Sequence, residues 1–529
     1  MNKFLTLGWT REYIGSTSNS YKCRCILNHG GIEMILPLDK TKRDSVLFQF
    51  SVKPLRAYIA PNHILLKIDE LFDFSYVVDL VKPYYCPNNG RAAVHPEVLL
   101  RALLIGCIHN MASFRQLCLR IQENLAYRWF LFMTLEEEVF DHSTISYFIS
   151  RIGEDTFRSI LEHFNQRLYE LGLVSDQVYS DSSLLKAHVD ETRLSPTSLT
   201  TGEFVKKVIQ ENDIYIEPIE TKVGDQGKIS VVEPKCYQDS KGQLPLSPVD
   251  PDARWQAKSK KQRAHLSYKD NLVVDDEGFI LAEKMTLSTC SDPQGAEELI
   301  EALPTPPTSL AADKGYTAGA FRAFLEGKGI TPFIPLPKEP KTNRISNRQF
   351  KQQGEVLICP QGKTLKFIGM WRRNQSVQFR YRSRPQDCCD CPLKKECIKG
   401  KAGYRTVGIS LHKEQIEKAK LINQTAAFKQ AMKRRKTVVE GVIAHLRNLG
   451  LEIRLWGLEK VNIQGILSAL AHNVLKAVKK MKKWSKAQAA LCTTPSSFGF
   501  IPKFLELIQF SKNQPKRSLL LTSVGYDTQ

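Results

Sequence analysis

The sequence predicts a multidomain α/β chain with a helical N-terminal part, a mixed-sheet core and a cysteine-bearing insertion. Three observations predict it. Apolar residues recur at helical spacing from about 60 to 165. From 178 to 335 the order reads strand, hairpin, helix, strand, helix, strand, which suits a mixed sheet with helices packed on it. Residues 340–405 then break the alternation with short strands, arginines and five cysteines, and helices resume near 411.

Residues 1–60 carry no clear period and read as an extension of unclear role. In 61–170, Pro96 opens the helix PEVLLRALLIGCIHNM at a favourable first-turn position, and Ser113 can cap the next, SFRQLCLRIQENLAYRWFL. In STISYFISRIG, Ile145, Phe148, Ile149 and Ile152 make one buried face, and Thr144, Ser146, Tyr147, Ser150 and Arg151 make the other. Taken alone, these helices read either as a small bundle or as a helix-turn-helix-like unit.

Residues 171–337 form the first part of the core, interrupted at 190–257 by a Pro-, Ser-, Thr-, Asp- and Gly-rich insertion. VYSD is a short strand ending in Asp181. The hairpin has strands at 266–274 and 279–287 around the turn Asp275-Asp276-Glu277-Gly278. Asp292-Pro293 starts a helix. SLAADKGY gives a strand ending in Asp313, a helix follows and closes at Gly329, and ITPFIPLP is the last strand. The cysteine-rich insertion occupies 338–408 and the C-terminal core helices 409–485, with Val438, Val442, Leu446 and Leu449 as one buried stripe. Residues 486–529 read as a peripheral tail.

The 529 residues suffice for about three or four domains at roughly 150 residues each, and 42% hydrophobic residues suit a globular chain with real cores. Against 55 Asp and Glu stand 75 Lys and Arg, a net charge of +20. The excess is clustered in KSKKQR at 258–263, RRNQSVQFRYRSR at 372–384, KQAMKRRK at 429–436 and KAVKKMKKWSK at 476–486. Repeated clusters along a long chain suit an extended polyanion, nucleic acid above all, better than one small anion. No run approaches the roughly 18 apolar residues of a membrane span. MNKFLTLGWTREYIG lacks the apolar core of a signal peptide, so the 13 cysteines are expected as reduced thiols in a cytoplasmic, nucleoid-associated protein with no membrane partner.

Phosphodiester cutting at neutral pH needs an activated oxygen nucleophile and neutralisation of charge on both attacking and leaving oxygens. Two divalent ions about 4 Å apart supply both, and Mg²⁺ needs only a few well-placed carboxylates. Asp181 and Asp313 at strand ends and Glu440 on a helix meet that need. Asp190, Asp270, Asp275, Asp276 and Asp292 compete, although turn chemistry explains Asp275 and Asp276 better. Lys433, Lys436 and Arg447 lie seven and four residues before and seven after Glu440, which puts all four on one helix face. That face is either an ordinary solvated stripe or a metal ligand flanked by phosphate-binding cations.

These segments resemble a bacterial insertion-sequence transposase with a ribonuclease H-like DDE core. The matching stretches are VYSDSSLLKAHVD around Asp181, LAADKGYTAGAF around Asp313, and RRKTVVEGVIAHLRNLGL around Glu440. HPEVLLRALLIG, SFRQLCLRIQENLAYRWFL and DHSTISYFISRIG resemble the helical domain that precedes such cores. Together the matches cover roughly 75–480. The resemblance implies that Asp181, Asp313 and Glu440 hold two Mg²⁺ ions, with Mn²⁺ as a substitute. It implies that the N-terminal helices, with Ser146, Tyr147 and Arg151 on their polar face, recognise the inverted repeats of the element. It further implies a homodimer or larger assembly on paired ends of double-stranded DNA. Related enzymes often carry Tyr-x2-Arg-x3-Glu-x6-Lys. Here those places hold Lys433, Lys436, Glu440 and Arg447, so the tyrosine is lost.

Cys359 in a CPQG turn and Cys388, Cys391 and Cys397 could close a structural Zn²⁺ site, which the resemblance supports. The alternative is free buried thiols, and Cys389 confuses the register. Two other readings of the chain are a non-enzymatic DNA-binding regulator and a metal-dependent nuclease that cuts without joining.

Overall fold

The computed structural model describes residues 38–40, 53–86, 92–191, 221–223, 229–231, 246–247, 249–257, 263–337, 345–373, 376–398 and 403–491. Most of the N-terminal extension and of the 190–257 insertion, KSKKQR except Arg263, and the tail beyond 491 lie outside the described residues.

The N-terminal helices are α1 (Ile64–Leu71), α2 (Val77–Val81), α3 (Pro96–Ile108), α4 (Phe114–Glu123), α5 (Leu125–Phe130) and α6 (His142–Glu170). Ser113 caps α4 by accepting from the Gln116 amide at 3.2 Å. The segment expected as one helix from Ser113 breaks at Asn124, whose side chain accepts from the amides of Ala126 and Tyr127 and starts α5. An asparagine that satisfies two free amides outcompetes one more helical turn. Ile145, Phe148, Ile149 and Ile152 are buried as expected. The helix does not stop at Gly153, however. That glycine takes φ +68 and the chain resumes as helix to Glu170.

The core sheet is built from β1 (Gln177–Lys186), β4 (Arg254–Gln256), β5 (His265–Asp275), β6 (Ile280–Leu287), β7 (Ser309–Ala311) and β8 (Thr331–Phe333). Between β1 and β4, the antiparallel pair β2 (Thr221–Val223) and β3 (Ile229–Val231) forms its own ribbon. β5 pairs antiparallel with β1 along one edge and with β6 and β4, end to end, along the other. β7 pairs parallel with β1, and β8 parallel with β7. Helices α7 (Asp292–Glu301) and α8 (Gly319–Gly327) link the later strands. The hairpin turn follows its expected chemistry. Asp275 accepts from the Ser175 and Phe279 amides, and Gly278 takes φ +85.

A second sheet, in the order β13-β12-β11-β10-β9, makes up the insertion: β9 (Lys351–Gln353), β10 (Val356–Ile358), β11 (Thr364–Arg373), β12 (Ser376–Ser383) and β13 (Thr406–Ser410), with the short α9 (Lys394–Cys397) before β13. It has its own small core of Ile345, Phe350, Leu357, Leu365, Tyr381 and Val407. The chain then returns to the first sheet through α10 (Lys413–Ile422), α11 (Ala426–Asn448) and α12 (Leu458–Leu491). The buried stripe of α11 is centred on Val439 rather than Val438. No helix among the described residues is long and apolar enough to cross a membrane.

One continuous core runs from Leu55 through the N-terminal helices into the sheet and α12. The exposed edge of β6 explains the join. An edge strand carries unpaired backbone groups that must be satisfied. Asn165 of α6 donates to the Ile280 and Leu281 carbonyls, and Asn473 and Asn462 of α12 accept from the Ile280 and Met285 amides. Arg158 donates to the Glu283 carbonyl at 2.9 Å. Helices from both ends of the chain therefore close the same strand.

Beneath this junction, Asp270 of β5 and Glu283 of β6, diagonal neighbours across the two strands, are fully buried, and three of their oxygens lack a hydrogen-bond partner. A Cβ at Gly465 would collide with Glu283 Oε1, so α12 passes directly over Glu283. Burial pushes Asp270 up to about 7, and burial and then the Asp270 charge push Glu283 well above its ordinary value. A carboxyl whose folded value is raised favours folding below its unfolded value, and that contribution is lost as pH rises through the folded one. Stability is therefore expected to fall between about pH 4 and 7. Asp270→Asn should flatten that decline, measured as thermal midpoint against pH; an unaltered decline would contradict it.

Candidate active site

Parallel register sets the site. Tyr179 of β1 pairs with Ala311 of β7, and both are fully buried. Two residues further on, Asp181 and Asp313 emerge beside each other where β7 has ended. Asp181 does not end its strand, as VYSD suggested. β1 runs on to Lys186 because the 11-residue β5 offers it a long partner. Asp313 lies two residues beyond β7 and caps a short 3₁₀ turn, Lys314–Tyr316, by accepting from the Gly315 amide at 2.7 Å.

Gly315 leaves space for two carboxylates rather than supplying a left-handed backbone. A Cβ there would lie 2.6 Å from Asp292 Oδ2 and 2.9 Å from Asp313 Oδ1. Asp292, the first residue of α7, is thus the third carboxylate of the cluster. Its Oδ1 accepts from Ser182 Oγ at 2.8 Å and from Lys269 Nζ at 2.9 Å. A cation also enters from α11: Arg435 Nη2 lies 2.9 Å from Asp181 Oδ2, with the arginine side chain 12% exposed. Burial pushes the Asp181 carboxyl up. Arg435 and the Ser182 amide pull it down, and Asp313 and Asp292 push it up again.

Glu440 lies on the exposed side of α11, with Lys433, Lys436 and Arg447 also exposed. Its neighbour Val439 packs with Tyr179 and Ala311, so α11 lies against both aspartate-bearing segments. Among the described residues no three His, Cys, Asp or Glu side chains are arranged to hold a metal ion. The structure therefore gathers Asp181, Asp313, Asp292 and Arg435, and leaves Glu440 at the surface beside them. The neighbouring carboxylates repel one another in a partly desolvated crevice, and Arg435 on Asp181 and Lys269 on Asp292 offset part of that charge. Arg435 was legible in principle. Ala431, Arg435, Val439, Val442 and Leu446 follow one helical stripe, and an arginine on an apolar stripe faces inward.

The four predicted thiols, Cys359, Cys388, Cys391 and Cys397, line one small cavity under the insertion sheet. The Lys363 amide donates to Cys359 Sγ at 3.3 Å, and Cys388 Sγ lies 3.2 Å from Ser383 Oγ. Cys389 is exposed and donates to the Pro385 carbonyl, outside the cavity. Of the helical candidates, Tyr147 is 69% exposed and Ser146 and Arg151 are exposed, with the Arg151 guanidinium 4.9 Å from the Tyr85 ring. His472 is buried against His445, Nδ1 to Nδ1 at 2.8 Å, and Trp456 donates its indole N–H to the His188 carbonyl.

Two family models match the chain. One, described as a transposase domain (DUF772), matches residues 53–151. The other, described as a transposase DDE domain, matches residues 358–478, which include Glu440 and the cysteines but neither Asp181 nor Asp313. No curated protein matches. Among solved structures, the cryo-EM structure of the piggyBac transposase synaptic complex with hairpin DNA is similar at 10% identity, with 86% of each chain covered and a TM-score of 0.28.

Proposed function

We propose that this chain, a DDE transposase of the insertion-sequence kind, cuts and joins DNA at the crevice where Asp181 and Asp313 emerge beside each other. That shared register is the observation that carries the reading. The sheet supports a ribonuclease H-like core: the order β6-β5-β1-β7-β8 has its first three strands antiparallel and its last two parallel to β1.

Asp181 and Asp313 would hold Mg²⁺ or Mn²⁺, with Glu440 joining from α11. When bound, the ions activate the attacking oxygen and stabilise the leaving one. The protein's own part is positioning. Asp292, gripped by Ser182 and Lys269, fixes the strand and turn that carry the two aspartates. Arg435 balances Asp181 and offers a planar fork suited to a phosphate oxygen. Lys433, Lys436 and Arg447 on α11 and Ser146, Tyr147 and Arg151 on α6 are assigned to the DNA backbone and the element ends. A homodimer on paired ends is the expected assembly.

The function is tested with the purified chain, Mg²⁺, a pre-cut element end and a target duplex. Joined product is the expected result. Cleavage of an intact end without joining would reduce the chain to a nuclease, and DNA binding with neither product would reduce it to a regulator.

Zinc held by the four cavity thiols would be structural, since it lies in the insertion's own core. Chelation is expected to release one zinc per chain and to expose the insertion sheet to protease while α3–α6 and β5–β8 stay protected. Purified protein free of zinc, with four alkylatable cavity thiols and the same digestion pattern, would refute this.

A further inference from the structure

We propose that the face of the insertion sheet formed by Lys366, Trp371, Arg380 and Arg382 binds the phosphate backbone of duplex DNA without reading its bases. The inference rests on the reading of the chain as a DNA-handling enzyme and assigns a contact to an element outside the chemistry.

A bulge builds this face. Lys366 and Trp371 are five residues apart, so a regular strand would point them to opposite sides. The register shift between Phe367 and Gly369 inserts one residue and brings them to the same side. The Arg380 guanidinium accordingly lies 3.6 Å from the Trp371 ring. Leu365, Tyr381 and Val407 point the other way, into the insertion's core.

The charge is one-sided. β11, β12 and β13 contain Lys366, Arg372, Arg373, Arg380 and Arg382 and no acidic residue. Lys366 stands directly opposite Arg382 in the register. Like charges placed so are destabilising unless an anion lies between them. Neither they nor Arg380 form an ion pair among the described residues. Arg380 also has Gly369 opposite it on β11, with nothing within 4 Å of where a Cβ would stand, whereas at Gly408 on β13 the Gln378 side chain occupies that space. A glycine beside a strand residue leaves room for another backbone to approach closely.

The geometry favours backbone over bases. Arg380 and Arg382 are two residues apart on one strand, about 7 Å, and form a short row of cations. Trp371, 39% exposed, already carries Arg380 on its ring, and Arg382 rests 4.5 Å from the Tyr404 ring. The rings hold the guanidinia in place, leaving their N–H edges for phosphate, and offer no bare platform for an unstacked base.

The test measures binding of the full chain to a labelled duplex that lacks element ends, by fluorescence anisotropy from 50 to 200 mM salt. R380Q/R382Q and K366Q/R382Q are compared with the unaltered protein. Each lost phosphate contact should make the slope of log affinity against log salt shallower by roughly 0.9, so about 2 for each double variant. Joining of saturating element ends should stay unchanged. Slopes equal to the unaltered protein's in both variants overturn the proposal and leave the enzyme reading intact. Failure of the unaltered protein to bind duplex at all overturns both. Should R380Q/R382Q lose its fold, judged by its melting midpoint, K366Q/R382Q decides alone, because both of its side chains are exposed.

Discussion

Asp181→Asn should abolish DNA cleavage, by a factor of at least about 10³, or about 4 kcal/mol of transition-state stabilisation. Binding to element ends should survive. The variant removes one carboxylate oxygen charge from a crevice it shares with Asp313 and Asp292. Burial already disfavours that charge in the folded protein and the amide oxygen can still accept from Arg435, so the melting midpoint should change little. Cleavage lost at unchanged midpoint and unchanged end-binding is therefore the signature of a group acting on the reaction. Cleavage within tenfold of normal would sink the assignment. The same assay ranks the third acid. A loss in Glu440→Gln as large as in Asp181→Asn assigns it to the helix glutamate. A loss in Asp292→Asn with Glu440→Gln near normal assigns it to the carboxylate that touches Gly315.

Arg101→Met should have the largest effect on stability. Arg101 of α3 is 2% exposed and is paired with Glu97 and Asp69, its Nη1 lying 2.8 Å from Asp69 Oδ1. Its guanidinium also lies within 5.2 Å of the Phe74, Phe130 and Phe132 ring centres. Removing the guanidinium strips the buried Glu97 and Asp69 of their closest cation, although Glu97 keeps Lys40 at 3.7 Å, at a cost of about 3 kcal/mol. For a body of this size that corresponds to a fall of roughly 4 °C in melting midpoint. Replacing all three charges together, as D69L/E97M/R101L, should restore most of the loss, because an apolar filling needs no partner. A triple variant no better than the single one would show that the arginine acts through ring packing instead.

The contrast between these two sites marks what periodicity can and cannot reveal. The face Ile145, Phe148, Ile149, Ile152 and the hairpin around Gly278 follow local rules, and both were legible. The break at Asn124 was missed because a cap and a helix interior compete locally, and only the cap's two amides decide. The length of β1 was missed because a strand extends as far as its partner allows, and β5 lies some eighty residues away in sequence. Asp292 stood among the competing aspartates, yet nothing within its own segment separates it from the rest. Its distinction lies in Ser182, Lys269 and Gly315, each contributed by a different element.

By itself, then, the sequence determined the charge and hence the class of partner, the alternation of elements, and the two aspartates that follow short buried apolar runs, since each is a property of neighbouring residues. Tertiary structure alone decided which side chains share the crevice: Arg435 against Asp181, Asp292 beside Asp313, Glu440 on the open side of α11. It also decided that helices from both ends of the chain close one strand edge. The physical reason is that sheet register and helix docking are set by burial and hydrogen-bond satisfaction between segments far apart in the chain, which no local pattern records.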